Sequence, residues 1–249
     1  MKSKYIAWAI APIFLIGCSD YLETPPSVDY GENEVFATRA DAEKLLTTLY
    51  AEGMPYGFCM SSTNTDRRLL SSSTLASACD EGEDVATWAM GNAAWNAGNH
   101  TNTNFPWDED CRFYLRNHTM RVANLILKRI HEVPFDEGDP DFNKRTTGEA
   151  YFMRAMLLWE GVYRYGGMPI VRDVIDPTDF SQRPRNSFSD CIDSILIDCD
   201  RATQYLPDYY TDNTKLGRAT RIAALALKAR VLLYAASPLF NTSTPYMSF

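Results

Sequence analysis

The sequence predicts a mainly α-helical protein: a tetratricopeptide-like stack of helix pairs interrupted by one long, loop-rich insertion. Apolar residues recur at helical spacing through successive segments, which is the primary signal for amphipathic helices. Residues 53–106 break that pattern, being rich in Ser, Asn, Gly and Thr with scattered tryptophans. The later helical segments carry small residues where neighbours would cross. Helix starts near 107, 147, 188 and 219 are unevenly spaced, so the architecture is repeat-like without a strict repeat.

At the N-terminus, Lys2 and Lys4 precede an apolar run from Tyr5 to Ile16, broken only by Pro12. A permanent membrane helix needs about 20 residues, so this shorter run has the order of a secretory signal. It closes with Leu15-Ile16-Gly17-Cys18, which resembles the lipobox of bacterial lipoproteins. The resemblance implies that residues 1–17 are a cleaved lipoprotein signal peptide and that Cys18 carries lipid. The bland alternative is an ordinary signal with a chance cysteine. Buried acyl chains would hold the mature protein at roughly 0.8 kcal/mol per CH₂. Ser19-Asp20-Tyr21-Leu22-Glu23 then places acidic groups behind the anchor, resembling the surface-export signal of Bacteroidetes lipoproteins. This implies an outer-membrane, lipid-anchored protein displayed at the cell surface. Residues 18–36 read as the acylated cysteine and an extended tether, stiffened by Pro25-Pro26.

The helical domain is expected over 37–249. Thr38 followed by Asp41 is close to a capping box, and Ala42, Leu45, Leu46, Leu49 and Tyr50 recur behind it. After the 53–106 insert, helical spacing resumes with Cys111, Tyr114, Leu115, Val122, Leu125, Ile126 and Ile130. Asp108, Glu109 and Asp110 stand at that start, where carboxylates favour the helix dipole; this accounts for the acidic run better than a metal site. The next helix is expected from about Thr147 to Tyr165, apolar around most of its circumference and stopped by Gly166-Gly167 with Pro169 beyond. Ser187 with Asp190 opens another, carrying Phe188, Ile192, Ile195, Leu196, Cys199 and Ala202 and closed by Pro207. The last runs from about Ala219 to Ala236 and ends at Ser237-Pro238.

Composition narrows the function. The 249 residues carry a formal charge of -8 and are 45% hydrophobic, enough for a real core. No clustered basic face is present, which argues against nucleic acid. If Cys18 is acylated, Cys59, Cys79, Cys111, Cys191 and Cys199 remain, an odd number without metal-like spacing. Cys191 and Cys199 lie too far apart along one helix to bridge and read as small buried residues; a Cys59–Cys79 bridge is open but not selected. No metal and no cofactor are expected.

Two blocks give the chain a family likeness. The first is Gly148-Glu149-Ala150-Tyr151-Phe152-Met153-Arg154-Ala155 leading to Tyr163-Arg164-Tyr165-Gly166-Gly167-Met168-Pro169-Ile170-Val171. The second is Gly217-Arg218-Ala219-Thr220, then the Ala-rich run from Ala223 to Ala236 with Ser237-Pro238-Leu239-Phe240-Asn241. In this order, behind a lipobox, they resemble the signatures of the SusD/RagB family of nutrient-binding outer-membrane lipoproteins. Most of these residues are structural on physical grounds. Arg154 and Arg230 stand among apolar neighbours and are expected to pair with buried carboxylates or cap carbonyls. The resemblance also implies that the chain is the N-terminal part of a longer fold, which would leave apolar surface exposed at its end.

The resemblance implies capture of an oligosaccharide, or a peptide as RagB-type receptors do, as the partner of a SusC-like TonB-dependent transporter, with no catalytic residues. Aromatic rings suit stacking on apolar sugar faces, although most of the 14 Tyr, 12 Phe and 5 Trp are expected in the core. The candidate ligand residues lie in the insert: Trp88, Trp95 and Asn96, with Asp80 or Glu81 accepting from hydroxyls. Each could instead hold the long loop together. A glycoside hydrolase would need two carboxylates facing across a substrate, which neighbours on one loop such as Asp80, Glu81, Glu83 and Asp84 rarely do. His100, His118 and His131 fit no zinc-protease or nucleophile motif. A helical scaffold for a protein partner is the third reading, but it has no need of a tryptophan-bearing insert.

Overall fold

Three helix starts are fixed by hydroxyls that receive otherwise orphaned backbone N–H groups. Thr38 Oγ1 accepts from Asp41 N at 3.2 Å, Ser187 Oγ from Asp190 N at 3.0 Å, and Thr220 Oγ1 from Ala223 N at 3.1 Å. The computed structural model describes residues 31–54, 107–176, 178–179 and 181–244. The chain divides into two units after Glu34. Of the first, the described part is Gly31 and the start of α1 (Glu32–Val35), where the Glu34 carboxylate accepts from Gly31 N.

The second unit carries α2 (Arg39–Gly53), α3 (Trp107–Arg129), α4 (Phe142–Tyr165), α5 (Phe188–Tyr205) and α6 (Arg221–Ala235), with 3₁₀ turns at Ile130–Glu132 and Asn213–Lys215. Among the described residues there is no strand. From α3 onward each helix packs against the next, and α2 packs against α3 and α4, so the mainly α, stacked architecture expected from periodicity is observed.

The core centres on α4. Phe152, Met153, Ala155, Leu157, Leu158, Trp159 and Val162 are all buried, covering most of its circumference. α2 contributes Ala42, Leu46 and Leu49, and α3 contributes Val122, Ala123, Leu125 and Ile126. α5 presents one stripe, Cys191, Ile192, Ile195, Cys199 and Ala202. Close approach of α4 to the end of α5 depends on Gly148: a Cβ there would lie 2.9 Å from Leu206 Cγ and from Tyr205 Cβ. α4 ends at Gly166, whose φ of 75° takes the chain out of the helix.

The Ser-Pro-Leu-Phe-Asn block closes an aromatic cluster. Phe240 stacks on Phe188 with centroids 4.1 Å apart, and Tyr234 meets Trp159 edge-on at 5.1 Å. The opposite side of α6 behaves differently. Only Ala224, Leu227 and Val231 of that helix are buried, while Ile222 (62%), Leu225 (49%) and Leu233 (74%) face outward.

Two expectations need correction. α4 begins at Phe142, five positions before Thr147, because Arg145 and Thr146 are buried polar residues that no apolar pattern reveals. Arg230 is exposed on α6 and meets no buried carboxylate among the described residues, whereas Arg154 does pair as expected. Cys191 and Cys199 are free and buried. His118 lies exposed on α3 with Nδ1 2.8 Å from Glu52 Oε2. Among the described residues no helix is long and apolar enough to cross a membrane.

Candidate functional site

Cys18 and the candidate ligand residues Asp80, Glu81, Trp88, Trp95 and Asn96 lie outside the described residues. The described body shows the frame that carries the insert: two buried polar networks, and a cleft that opens beside one of them.

The first network joins three helices. Arg154 on α4 grips Asp198 on α5 in bidentate fashion, Nε to Oδ2 at 2.7 Å and Nη2 to Oδ1 at 2.8 Å. Its Nη1 donates to Asn124 Oδ1 on α3 at 3.0 Å. Asn124 in turn donates to the carbonyls of Val171 and Asp173, and Arg172 Nη2 donates to Ser194 Oγ at 2.7 Å. Every charged partner is therefore answered, which is the condition under which a buried ion pair holds. Arg154 ties α3, α4 and α5 together and, through Asn124, the extended segment after α4; it faces no open surface.

The second network lies at the start of α4. Asp139 accepts from Arg145 Nη1 at 2.9 Å and Nη2 at 2.7 Å, and from Lys215 Nζ at 3.1 Å. Arg145 and Lys215 hold its carboxyl far below the usual carboxylate range, outweighing desolvation. One turn along, Glu149 is wholly buried. Arg145 Nε stands 3.5 Å from its Oε1 and Arg218 Nη1 3.7 Å from its Oε2, and neither oxygen completes a hydrogen bond of good geometry. Burial pushes the Glu149 carboxyl above its ordinary range, and the charge of Arg218, the Tyr50 hydroxyl and the charge of Arg145 oppose that. Arg218 Nη2 also donates to Glu43 Oε1 at 2.8 Å, and Tyr50 Oη accepts from Ala219 N at 2.8 Å, so this network joins α2 to the segment entering α6.

The cleft lies between the start of α4 and the loop after α5. Its volume is about 270 Å³, and its lining includes Asp141, Lys144, Gln204, Tyr205, Tyr209 and Asp212. The Tyr209 ring is 72% exposed and Tyr205 37%. The loop is fixed at several points. Tyr210 Oη donates to Ala219 O at 3.0 Å, Arg221 N donates to Pro207 O at 2.8 Å, and Asp212 Oδ1 accepts from Thr214 N at 2.9 Å. Sequence reading missed this cleft because it has no periodic signal; the Pro207-Asp208-Tyr209-Tyr210 run after a helix end is its one trace. Among the described residues no cluster of His, Cys, Asp or Glu could hold a metal ion.

Comparison with known proteins decides the family. The model of a SusD-like family, described as starch-binding and associating with the outer membrane, matches residues 20–233. The chain belongs to the SusD-like family. Solved relatives agree: a SusD-like protein from Bacteroides fragilis is 28% identical, with a TM-score of 0.61 over 81% of this chain and 36% of its own. A laminarin-binding SusD-like protein shares the fold at 22% identity, with a TM-score of 0.65 over 81% of this chain and 41% of its own. A surface glycan-binding protein A from Bacteroides fluxus does so at 18% identity and TM-score 0.58, over 80% of this chain and 40% of its own. The SusD-like chain thus spans well under half the length of these structures. No curated protein matches it.

Proposed function

We propose that this SusD-like chain captures an oligosaccharide at the cell surface, without transforming it, for import through a SusC-like TonB-dependent transporter. The observation that carries this reading is the family match over residues 20–233, a family described as starch-binding and associating with the outer membrane. Structural relatives named for laminarin and surface-glycan binding support the same ligand class. Cys18 is the proposed lipid anchor, and Trp88, Trp95 and Asn96 with Asp80 and Glu81 the proposed ligand contacts. The rings would stack on apolar sugar faces and the amide and carboxylates would bond hydroxyls.

Detergent-extracted protein, screened against soluble starch, laminarin and a set of short peptides, tests this reading. Binding to one polysaccharide without release of reducing ends is expected, and Trp95→Ala should weaken it at least tenfold while co-purification of the transporter persists. Release of reducing ends would sink the non-catalytic reading in favour of a hydrolase. Binding of peptides alone would make the protein a peptide receptor.

A further inference from the structure

We infer that the cleft between the start of α4 and the loop after α5 is a second, surface-lying saccharide subsite, with Tyr209 as its stacking platform. The inference rests on reading the chain as a saccharide-binding protein, but it assigns a site far in sequence from the tryptophan-bearing insert.

Charge decides the ligand class. The cations Arg145 and Lys215 share the Asp139 carboxylate, at 2.7 Å and 3.1 Å, so one of their two charges is matched there. The second is met by Asp212, whose Oδ2 lies 3.7 Å from Lys215 Nζ, which leaves the exposed Lys144 ammonium beside the exposed Asp141 carboxylate. Such a cleft offers no surplus positive charge for a phosphate or an acidic polymer. Its groups are mixed donors and acceptors around an open aromatic face, which is the complement of a neutral polyhydroxylated ligand.

Shape and preorganisation agree with this. A volume of about 270 Å³ lies just below the range of about 300–1,000 Å³ for enclosed drug-sized sites, which suits one or two sugar rings resting on a surface. Tyr209 is 72% exposed although the loop around it is pinned by the Tyr210–Ala219 and Arg221–Pro207 hydrogen bonds. A ring held outward on a fixed loop loses little freedom on binding. Tyr205, stacked on Tyr151 at a centroid distance of 6.1 Å, gives the cleft a second, rigid aromatic edge.

The test is hydrogen exchange and affinity on the full, detergent-extracted chain, with maltoheptaose, laminarihexaose and a tripeptide mixture as probes. Slowed exchange over residues 204–215 is expected with the saccharide that the protein binds. Tyr209→Ala should remove that protection and weaken binding about three- to tenfold, the worth of one aromatic contact, while Tyr209→Phe keeps both. Because Tyr209 is exposed, an unchanged melting temperature should accompany the alanine variant. Saccharide binding with no change at 204–215 would overturn the subsite and leave the proposed function standing. No saccharide binding at all would overturn both, and protection by the tripeptides alone would overturn the saccharide assignment.

Discussion

Asp198 on α5 and Glu149 on α4 are both withdrawn from water, and each faces two arginines, yet they stand in opposite conditions. Asp198 receives Arg154 through two short hydrogen bonds, with Arg172 Nη1 at 3.4 Å beyond. Glu149 has its arginines at 3.5 Å and 3.7 Å and the Tyr50 hydroxyl facing it, and none of them closes a hydrogen bond of good geometry. Burial therefore does not by itself say what a charge contributes. The directional bonds decide whether Coulomb attraction offsets lost hydration. The difference follows the competing partners: Arg145 is already committed to Asp139 and Arg218 to Glu43, so neither is free to close on Glu149.

The largest effect should come from breaking the satisfied pair. Asp198→Ala strands Arg154 in the core and should lower the unfolding free energy by about 3–5 kcal/mol, read from urea denaturation at constant slope. A loss near zero would show that the arginine finds water and that the clamp is dispensable. Replacing both partners, Arg154→Met with Asp198→Leu, should recover most of that loss, since an apolar pair of similar volume has no charge to desolvate. A double variant as unstable as Asp198→Ala would instead assign the loss to Asn124 and the Val171–Asp173 segment.

Glu149→Gln should have the smallest effect, within about 1 kcal/mol of wild type near neutral pH and on the stabilising side. Its pH signature is more telling. The folded state holds the Glu149 proton more tightly than the unfolded chain, so its contribution is full below the unfolded value of about 4.3 and is lost as pH rises through the higher folded value. Asp139 has the opposite sign. Its lowered folded value gives stability above about pH 3.9 that disappears as pH falls. Glu149→Gln should therefore flatten the decline that sets in above about pH 4.3 and leave the acid limb intact. An unchanged curve would mean that Glu149 titrates alike in both states.

Much of this frame was legible in the sequence. Thr38 and Ser187 announced their helices because a hydroxyl three residues before an Asp is a local signal, complete within one turn. Arg154 was readable as a paired charge because its apolar neighbours leave an arginine few other options. The start of α4 was not legible: Arg145 and Thr146 are buried through partners elsewhere in the chain, which periodicity cannot see. Arg230 sits in a similarly apolar run and yet is exposed, because the side of α6 that bears it is not covered by the described residues. Of the proposed binding surface, the insert was recognisable by composition alone, while the Tyr205–Tyr209 cleft depends on a loop whose position is set by the Arg221–Pro207 and Tyr210–Ala219 hydrogen bonds.

The two buried cysteines of α5 have a chemical consequence. Cys191 Sγ is engaged with the backbone of Met168, accepting from its N and donating to its O at 3.3 Å each, and burial pushes the Cys199 thiol up to about 12. Disulfide exchange needs the thiolate and a clear approach for the attacking sulfur, and the folded helix withholds both. In an oxidising compartment these sulfurs are thus open to capture chiefly before folding or during local opening. The rate at which an alkylating reagent reaches them becomes a clock for how often α5 lifts from α4.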